Sequence, residues 1–274
     1  MGSGSSSLKK RYAWPEGTWN WPIKVSHKHA VRCGEMIWMG GQVDLTPEGI
    51  VNNPADLPTQ TRQAMHHCDR ALRELDCDLE DVVWLLCFYV NDGSVNEKDF
   101  LAMVGACLPN DAQVAVNAVP VPALAYPGLA VEIEGCAMRR ADGQRTEKFV
   151  ANHTGSQTLP KPFCQAVRSG KMIFVSGQYP YAENAKVFAP GNSVSQTRQV
   201  MAQIEQLLDQ FGAGFDDVVK INRWYAGNVG VEERRGRLFH QGMNRMIALD
   251  AYNGSALWSL EIPDLRRVNM PRDA

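Results

Sequence analysis

The chain is short of the features that announce a function. Lys and Arg number 28 against 30 Asp and Glu, a formal net charge of −2. No global field therefore gathers a phosphate backbone or an anionic bilayer, and neither nucleic acid nor membrane is an expected partner. Seven cysteines (Cys33, Cys68, Cys77, Cys87, Cys107, Cys136 and Cys164) include no Cys-x-x-Cys pair. Several stand among apolar residues, where a thiol acts as a small hydrophobe, so reduced and buried thiols are expected. A cleavable signal sequence is lacking, and so is any apolar run of about 18 residues. Both absences point to the cytoplasm and leave the sequons at Asn152 and Asn253 without consequence.

Catalytic signatures are equally scarce. There is no Gly-x-Ser-x-Gly elbow, no Gly-x-x-x-x-Gly-Lys phosphate loop and no His-Glu-x-x-His. His27-x-His29 and His66-His67 bring imidazoles together in pairs, but no Cys or carboxylate stands at a recognisable ligand spacing. No metal is expected, and no cofactor.

What the chain does have is itself, twice. Gly34-Glu-Met-Ile-Trp-Met-Gly-Gly-Gln42 returns as Gly170-Lys-Met-Ile-Phe-Val-Ser-Gly-Gln178, a shift of 136 residues. The same shift carries Gln60-Thr-Arg-Gln63 onto Gln196-Thr-Arg-Gln199, Asp81-Val-Val83 onto Asp217-Val-Val219, and Tyr89 onto Tyr225. So long a repeat lies outside the periods of solenoids, and each copy reads as a domain with its own core. The composition, 45% hydrophobic and 21% charged over 274 residues, suits two such domains. Residues 1–13, opening Met-Gly-Ser-Gly-Ser-Ser-Ser, read as a flexible leader, 14–140 as the first domain, and 148–274 as the second.

Periodicity supplies the elements. After an irregular, Trp- and Pro-rich lead-in, Met36–Gln42 reads as a short strand whose Gly40-Gly41 permits close approach of a backbone or ligand. A simple bulge or turn explains the glycines equally well. Thr59 is a plausible N-cap for a helix with Ala64, Met65, Cys68, Ala71, Leu72 and Leu75 on one face. In the second copy Val200, Met201, Ile204, Leu207, Leu208 and Phe211 hold the same offsets, with Ser195 at the cap. A long strand is expected over Val82–Val90, matched by 218–226, and a second helix over Glu97–Leu108. The counterpart of that helix carries Leu238, Phe239, Gly242, Met243, Met246 and Ile247. Strands over 114–121 and 129–135 close the first copy, and residues 138–152 read as a linker. The second copy ends with a strand over 256–262 and shows no convincing equivalent of the 129–135 strand.

Alternation along Leu129-Ala-Val-Glu-Ile-Glu-Gly135 places Glu132 and Glu134 on one face and Val131 and Ile133 on the other. A carboxylate within an apolar strand is costly unless paired, hydrogen-bonded or functional. Burial raises its pKa and suits it to exchange protons with water. Two solvent-facing or cation-paired carboxylates are the bland alternative.

Together the strand ending in Gly-Gln, the Gln-Thr-Arg-Gln helix, the Asp-Val-Val strand and Leu-Ala-Val-Glu-Ile-Glu resemble the Rid (YjgF) family, present here in tandem. The resemblance implies an α+β fold: two chorismate-mutase-like domains, each a mixed sheet with two helices packed on one face. It implies association as trimers with ligand clefts between neighbours, and hydrolysis of reactive enamines and imines. In such deaminases a Glu on the last strand positions water, and here the Glu falls on Glu132. The family's carboxylate-gripping Arg falls on Gln113 in Asp111-Ala112-Gln113 and on Leu257 in the second copy. A glutamine offers one amide hydrogen bond where Arg makes a bidentate clamp. The cleft aromatic falls on Phe163 within Lys-Pro-Phe-Cys-Gln-Ala and on His27 in the first copy. The backbone cradle falls on Gly40 and Gly41, and on Ser176 and Gly177.

The function expected is a cofactor-independent deaminase or hydrolase acting on an enamine, imine or other activated carbon–nitrogen substrate. The alternative is a metabolite-binding or regulatory protein of the same fold with a decayed catalytic set. RNA cleavage, the activity of some relatives, lacks a basic footprint here. A homo-oligomer whose domain count is a multiple of three is expected, with a cleft bounded by Gly41, Gln113 and Glu132 of one copy.

Overall fold

The computed structural model describes residues 9–20, 26–91, 93–152, 158–182, 186–222 and 224, with the backbone of three further strands between 237 and 261. Contacts divide the chain into two compact units, residues 1–188 with 197–220, and residues 189–196 with 221–274.

The first copy is built on a six-stranded sheet of order β1-β2-β3-β6-β4-β5. Its strands are β1 (Lys10–Ala13), β2 (Ala30–Cys33), β3 (Met36–Gln42), β4 (Val82–Val90), β5 (Ala115–Val121) and β6 (Val131–Met138). Only β4 and β5 pair in parallel, so the sheet is mixed. The crossover between them is α2 (Glu97–Gly105), as a parallel pair requires a long connection. β4 has the bounds expected of it, and β1 draws Lys10–Ala13 of the expected leader into the sheet.

Helix α1 (Leu57–Arg73) lays Ala64, Met65, Cys68, Ala71 and Leu72 against Ile37, Met39, Leu85, Cys87 and Ile133 in one core. Phe100, Leu101 and Val104 of α2 join it, stacking Phe100 on Tyr89 at 4.1 Å between ring centroids. Both helices therefore cover the same face. The cap of α1 is Asp56, not Thr59: the Asp56 carboxylate accepts from the Thr59 N–H at 3.0 Å. A carboxylate reaches the N3 amide better than a threonine already inside the helix.

Between β6 and the second copy, residues read as a linker form β7 (Lys148–Ala151). It pairs with β8 (Ala166–Ser169), which pairs with β9 (Met172–Val175), giving a three-stranded sheet. Helix α3 (Ser193–Asp209) places Leu207 on Ala151 and Ala166. Ala166 and Val175 correspond to Ala30 and Met39 beneath α1, so both helices lie on the same face of their copies.

The repeated motifs perform repeated tasks. Asn192 takes the place of Asp56 and caps Ser195 N at 2.9 Å, so Ser195 is not the cap. Gln60 and Gln196 each donate their side-chain amide to the carbonyl seven residues back, Asn53 and Ala189. Asp81 and Asp217 each close the turn before their Val-Val by accepting the N–H three residues earlier, at 3.0 Å in both copies.

The copies diverge after Asp217. Residues 218–222 are irregular instead of extending the expected strand, leaving Val219 87% exposed; much of the remainder to 226 lies outside the described residues. The segment expected as a second helix is instead a hairpin, β10 (Arg237–Gly242) and β11 (Arg245–Asp250), joined by β12 (Ala256–Glu261) in an antiparallel sheet. Short apolar runs such as Met-Ile-Ala-Leu satisfy either period, and here pairing with the strands on either side decides. Among the described residues no helix is long and apolar enough to cross a membrane.

Two features join the copies within the first unit. Val83, Ala115, Cys136 and Met138, on the sheet face away from α1, pack with Val167 and Phe174 of the second copy. The edge of β5 is the other. Its Val114 N–H donates to the Pro162 carbonyl, Val114 O accepts from Cys164 N, and Val116 O accepts from Gly177 N at 3.0 Å. An exposed strand edge is a template for stray pairing, and here the second copy covers it.

Candidate functional site

The site grows from a fault in the pairing of β3 with β6. Met39 pairs with Gly135 and Gln42 with Ile133, so Gly40 and Gly41 together oppose Glu134 alone. This is a β-bulge, which bends the strand and re-aims what it carries. The structure bears out the bulge reading of the glycines, and the bulge is also where a carboxylate of the chain itself is seated. A Cβ on Gly41 would stand 1.9 Å from Glu132 Oε1 and 2.7 Å from its carboxyl carbon. Only a residue without a side chain leaves the carboxylate that position. On Gly40 the added atom would meet Lys28 O at 3.2 Å and His27 Cε1 at 3.3 Å. The bulge is thus flanked by Glu132 and His27.

Glu132 and Glu134 alternate with the buried Val131 and Ile133, and both are half-buried. Loss of solvent pushes the Glu132 carboxyl above the usual range, and the charge of Glu134 pushes it further the same way. Burial also raises Glu134, with Lys220 opposing. His27 is lowered to about 4, first by burial and then by the charges of His29 and Lys28, so its ring is neutral at pH 7. Its indole neighbour is Trp19, stacked at 5.3 Å. Among the described residues no cluster of His, Cys, Asp and Glu has the arrangement of a metal site.

A network of buried polar groups sets the bulge. Gln42 Nε2 donates to Gly40 O at 2.9 Å and lies 3.3 Å from Gly41 O. Its Oε1 lies 3.1 Å from Nδ1 of the fully buried His29, whose Nε2 lies 3.1 Å from Trp19 O. Neither Gln42 nor His29 was marked for this role by spacing; the repeated Gly-Gln was the available signal.

Gln113 belongs elsewhere. Ala115 of β5 is level with Trp84 and Cys136, whereas Val119 is level with Phe88 and Glu132. Gln113 therefore lies six residues along from the level of Glu132, about 20 Å at strand spacing. The expectation that Gly41, Gln113 and Glu132 bound one cleft is corrected: β5 begins where the antiparallel β6 ends. Gln113 adopts a left-handed conformation (φ 54°) beside a cavity of about 190 Å³ lined by Asp81, Asp111, Arg145, Thr146 and Lys148. The Lys148 ammonium donates to the carbonyls of Glu80, Val82 and Ala112, and burial lowers its pKa to about 8.

The second copy's residues serve the seam. Phe163 is buried in the first copy's core, against Gly105 at the end of α2. Ser176 Oγ accepts from Val116 N and donates to Cys164 O, both at 2.7 Å, and Gly177 N bonds Val116 O. Leu257 lies in β12, where only the backbone is described.

Comparison with known proteins follows this division. The family model described as endoribonuclease L-PSP matches residues 22–139 and again 156–235. A RutC family protein of Pyrococcus abyssi is 37% identical over 69 residues, 24% of this chain and 54% of that protein. The mitochondrial protein mmf1 of Schizosaccharomyces pombe is 35% identical over 65 residues, 24% of this chain and 39% of its own length. The chain thus spans about half the length, or less, of the curated relatives it matches. Among solved structures, yeast Mmf1 gives a TM-score of 0.41 at 17% identity, covering 47% of this chain and 98% of that one. Rv2704 of Mycobacterium tuberculosis, of the YjgF/YER057c/UK114 family, gives 0.34 at 26% identity, with 42% and 87% covered. With the family model matching both copies and more than half of the residues, the chain belongs to the endoribonuclease L-PSP family, the Rid (YjgF) family that its repeated motifs resemble.

Proposed function

We propose that this protein is a cofactor-independent hydrolase of the Rid type, releasing ammonia from an enamine, imine or other activated carbon–nitrogen substrate. The observation that carries this reading is the seat of Glu132: a half-buried carboxylate of raised pKa, held over a glycine bulge that exposes backbone on one side. Glu132 accepts a proton from water as the water oxygen bonds the carbon of the C=N group and the π electrons move to nitrogen, and it passes that proton to the nitrogen to give a carbinolamine. It then takes the hydroxyl proton and delivers it to the nitrogen as the C–N bond breaks, so that the carbonyl forms and ammonia leaves. His27, neutral at pH 7, takes the aromatic's place beside the bulge. With Gln113 and Leu257 at the family's Arg positions no guanidinium is supplied, and the substrate class is one lacking the usual carboxylate. Near-equal numbers of acidic and basic residues argue against RNA as substrate.

The site is completed by another domain. Within the chain, Ser176-Gly177 of the second copy closes on the β5 edge of the first. Gly40-Gly41 is the same segment one repeat earlier, and it takes the equivalent edge of a neighbour. Such head-to-tail contacts close into rings, and the trimeric association that the Rid resemblance implies makes the domain count a multiple of three. A light-scattering mass of one chain, 30.4 kDa, at micromolar concentration would overturn this.

The alternative, a metabolite-binding protein, draws on the second copy, where Phe163 and Ser176 are buried in the seam instead of lining a cleft. Screening amine-derived imines for ammonia release decides between them. Turnover that Glu132→Gln abolishes supports the hydrolase; tight binding of an imine without turnover supports the binding protein.

A further inference from the structure

His29 makes two hydrogen bonds that a neutral imidazole does not make together. Its Nδ1 faces Gln42 Oε1 and its Nε2 faces the carbonyl of Trp19, each at 3.1 Å. The orientation of the Gln42 amide is settled by its other end. Nε2 lies 2.9, 3.3 and 3.4 Å from the carbonyls of Gly40, Gly41 and His29, and turning the amide over would set an oxygen against three oxygens. Both partners of the His29 ring are therefore acceptors. A neutral ring has one N–H, so it satisfies one of them and turns a lone pair toward the other; an imidazolium satisfies both.

We propose that His29 is a positioning residue whose protonation locks the Gly40–Gly41 bulge: the imidazolium ties Gln42 to Trp19, and Gln42 in turn holds the two glycine carbonyls beneath Glu132. In the neutral state one link opens and the bulge gains freedom. The second copy supports the assignment by contrast. The residue one repeat on from His29 is Gln165, and Gln178 there donates to Ser176 O at 3.1 Å as Gln42 donates to Gly40 O. A glutamine both donates and accepts without a proton from solvent, so the second copy has no titratable group at this position.

The groups facing His29 tune where the switch operates. Burial opposes the charged ring most strongly, while the bonds to Gln42 and Trp19 and the carboxylate of Glu74 favour it. Arg70 of α1 opposes it. His67 of α1 and His27, with Lys28 beyond, are the other titratable neighbours. The transition accordingly falls below the ordinary histidine value of about 6.5.

The inference rests on taking the bulge as the cradle of the proposed site, but its test needs no substrate. In the full chain labelled with ¹⁵N-histidine and ¹⁵N-glycine, NMR spectra are followed from pH 8 to pH 4.5. On lowering pH, both His29 ring nitrogens become N–H, and the Gly40 and Gly41 amides shift with the same midpoint. In His29→Gln that component of the glycine shifts disappears, while the melting temperature at pH 8 stays within a few degrees. Glycine shifts that persist unchanged in His29→Gln, following His27 or Glu132 instead, overturn the proposal. Should the variant fail to fold, the wild-type titration decides alone: a His29 ring that never carries two protons, or carries them without moving the glycines, overturns it equally. Ammonia release is a separate readout, so failure of the deaminase reading leaves this outcome unaffected.

Discussion

Glu132 Oε1 occupies the space that a β-carbon on Gly41 would need, at 1.9 Å from it. Backbone conformation is not the constraint, since Gly41 is absent from the positive-φ residues. Contact is. Gly41→Ala therefore expels the carboxylate from its seat while leaving the bulge able to form. Turnover of an imine is expected to fall at least as far as in Glu132→Gln, with the melting temperature lowered by only a few degrees. An alanine variant of full activity would show that Glu132 works from another position.

Ser176 is a single-residue test of the seam between copies. Its hydroxyl accepts from Val116 N and donates to Cys164 O, and it is buried. Ser176→Ala strands both backbone groups and is expected to cost about 1–3 kcal/mol. Urea denaturation of the two proteins measures the difference; Ser176→Gly, which also lacks the hydroxyl and frees the backbone, is expected to cost no less.

The Asp81 carboxylate is 1% exposed and holds Arg139 at 2.8 Å and Arg145 at 3.1 Å. Removing one partner from such a buried group is strongly destabilising. Because Arg145 is 40% exposed and regains water, Asp81→Ala is expected to cost about 3 kcal/mol, the lower end of that range. The change in urea midpoint, at unchanged slope, is the measurement.

Acid should destabilise the fold through its histidines. Burial lowers both His27 and His67 to about 4, and His67 Nδ1 is buried without a hydrogen-bond partner among the described residues. Between about pH 6.5 and pH 4 the unfolded chain binds protons that the folded rings refuse, so stability is present above the upper value and is lost as pH falls. Glu132 and Glu134 act with the opposite sign: their raised values mean that the folded state keeps protons longer, and stability falls as pH rises through their range. His67→Gln should flatten the acid limb of stability against pH between 6.5 and 4. An unchanged limb would show that His67 is solvated when folded.

The elements of the first copy were legible because local pattern and tertiary burial agree there. The apolar stripe of α1 and the run over Val82–Val90 are satisfied by one buried face and one central strand. An apolar stripe at the same offsets in the second copy did not guarantee the same neighbours. Of its six apolar positions only Leu207 and Leu208 are buried, and among the described residues the sheet beneath them has three strands where the first copy's has six. The helix expected over Leu238–Ile247 failed for a related reason, since a short apolar run takes its period from whatever it pairs with.

By itself the sequence determined the tandem repeat, through a constant shift of 136 residues, and its resemblance to the Rid family implied the α+β class. The face that Glu132 and Glu134 share and the Gly40-Gly41 pair that admits close approach are local properties, set by a fixed side-chain period and by the absence of a β-carbon. Tertiary structure alone decided that Glu132 and Gln113 lie at opposite ends of their strands, because register and strand direction are long-range choices. It alone turned Phe163 and Ser176 from cleft residues into the seam that covers the β5 edge. It alone placed His29 between two oxygens, a relation between residues 10 and 13 positions apart that no spacing rule contains.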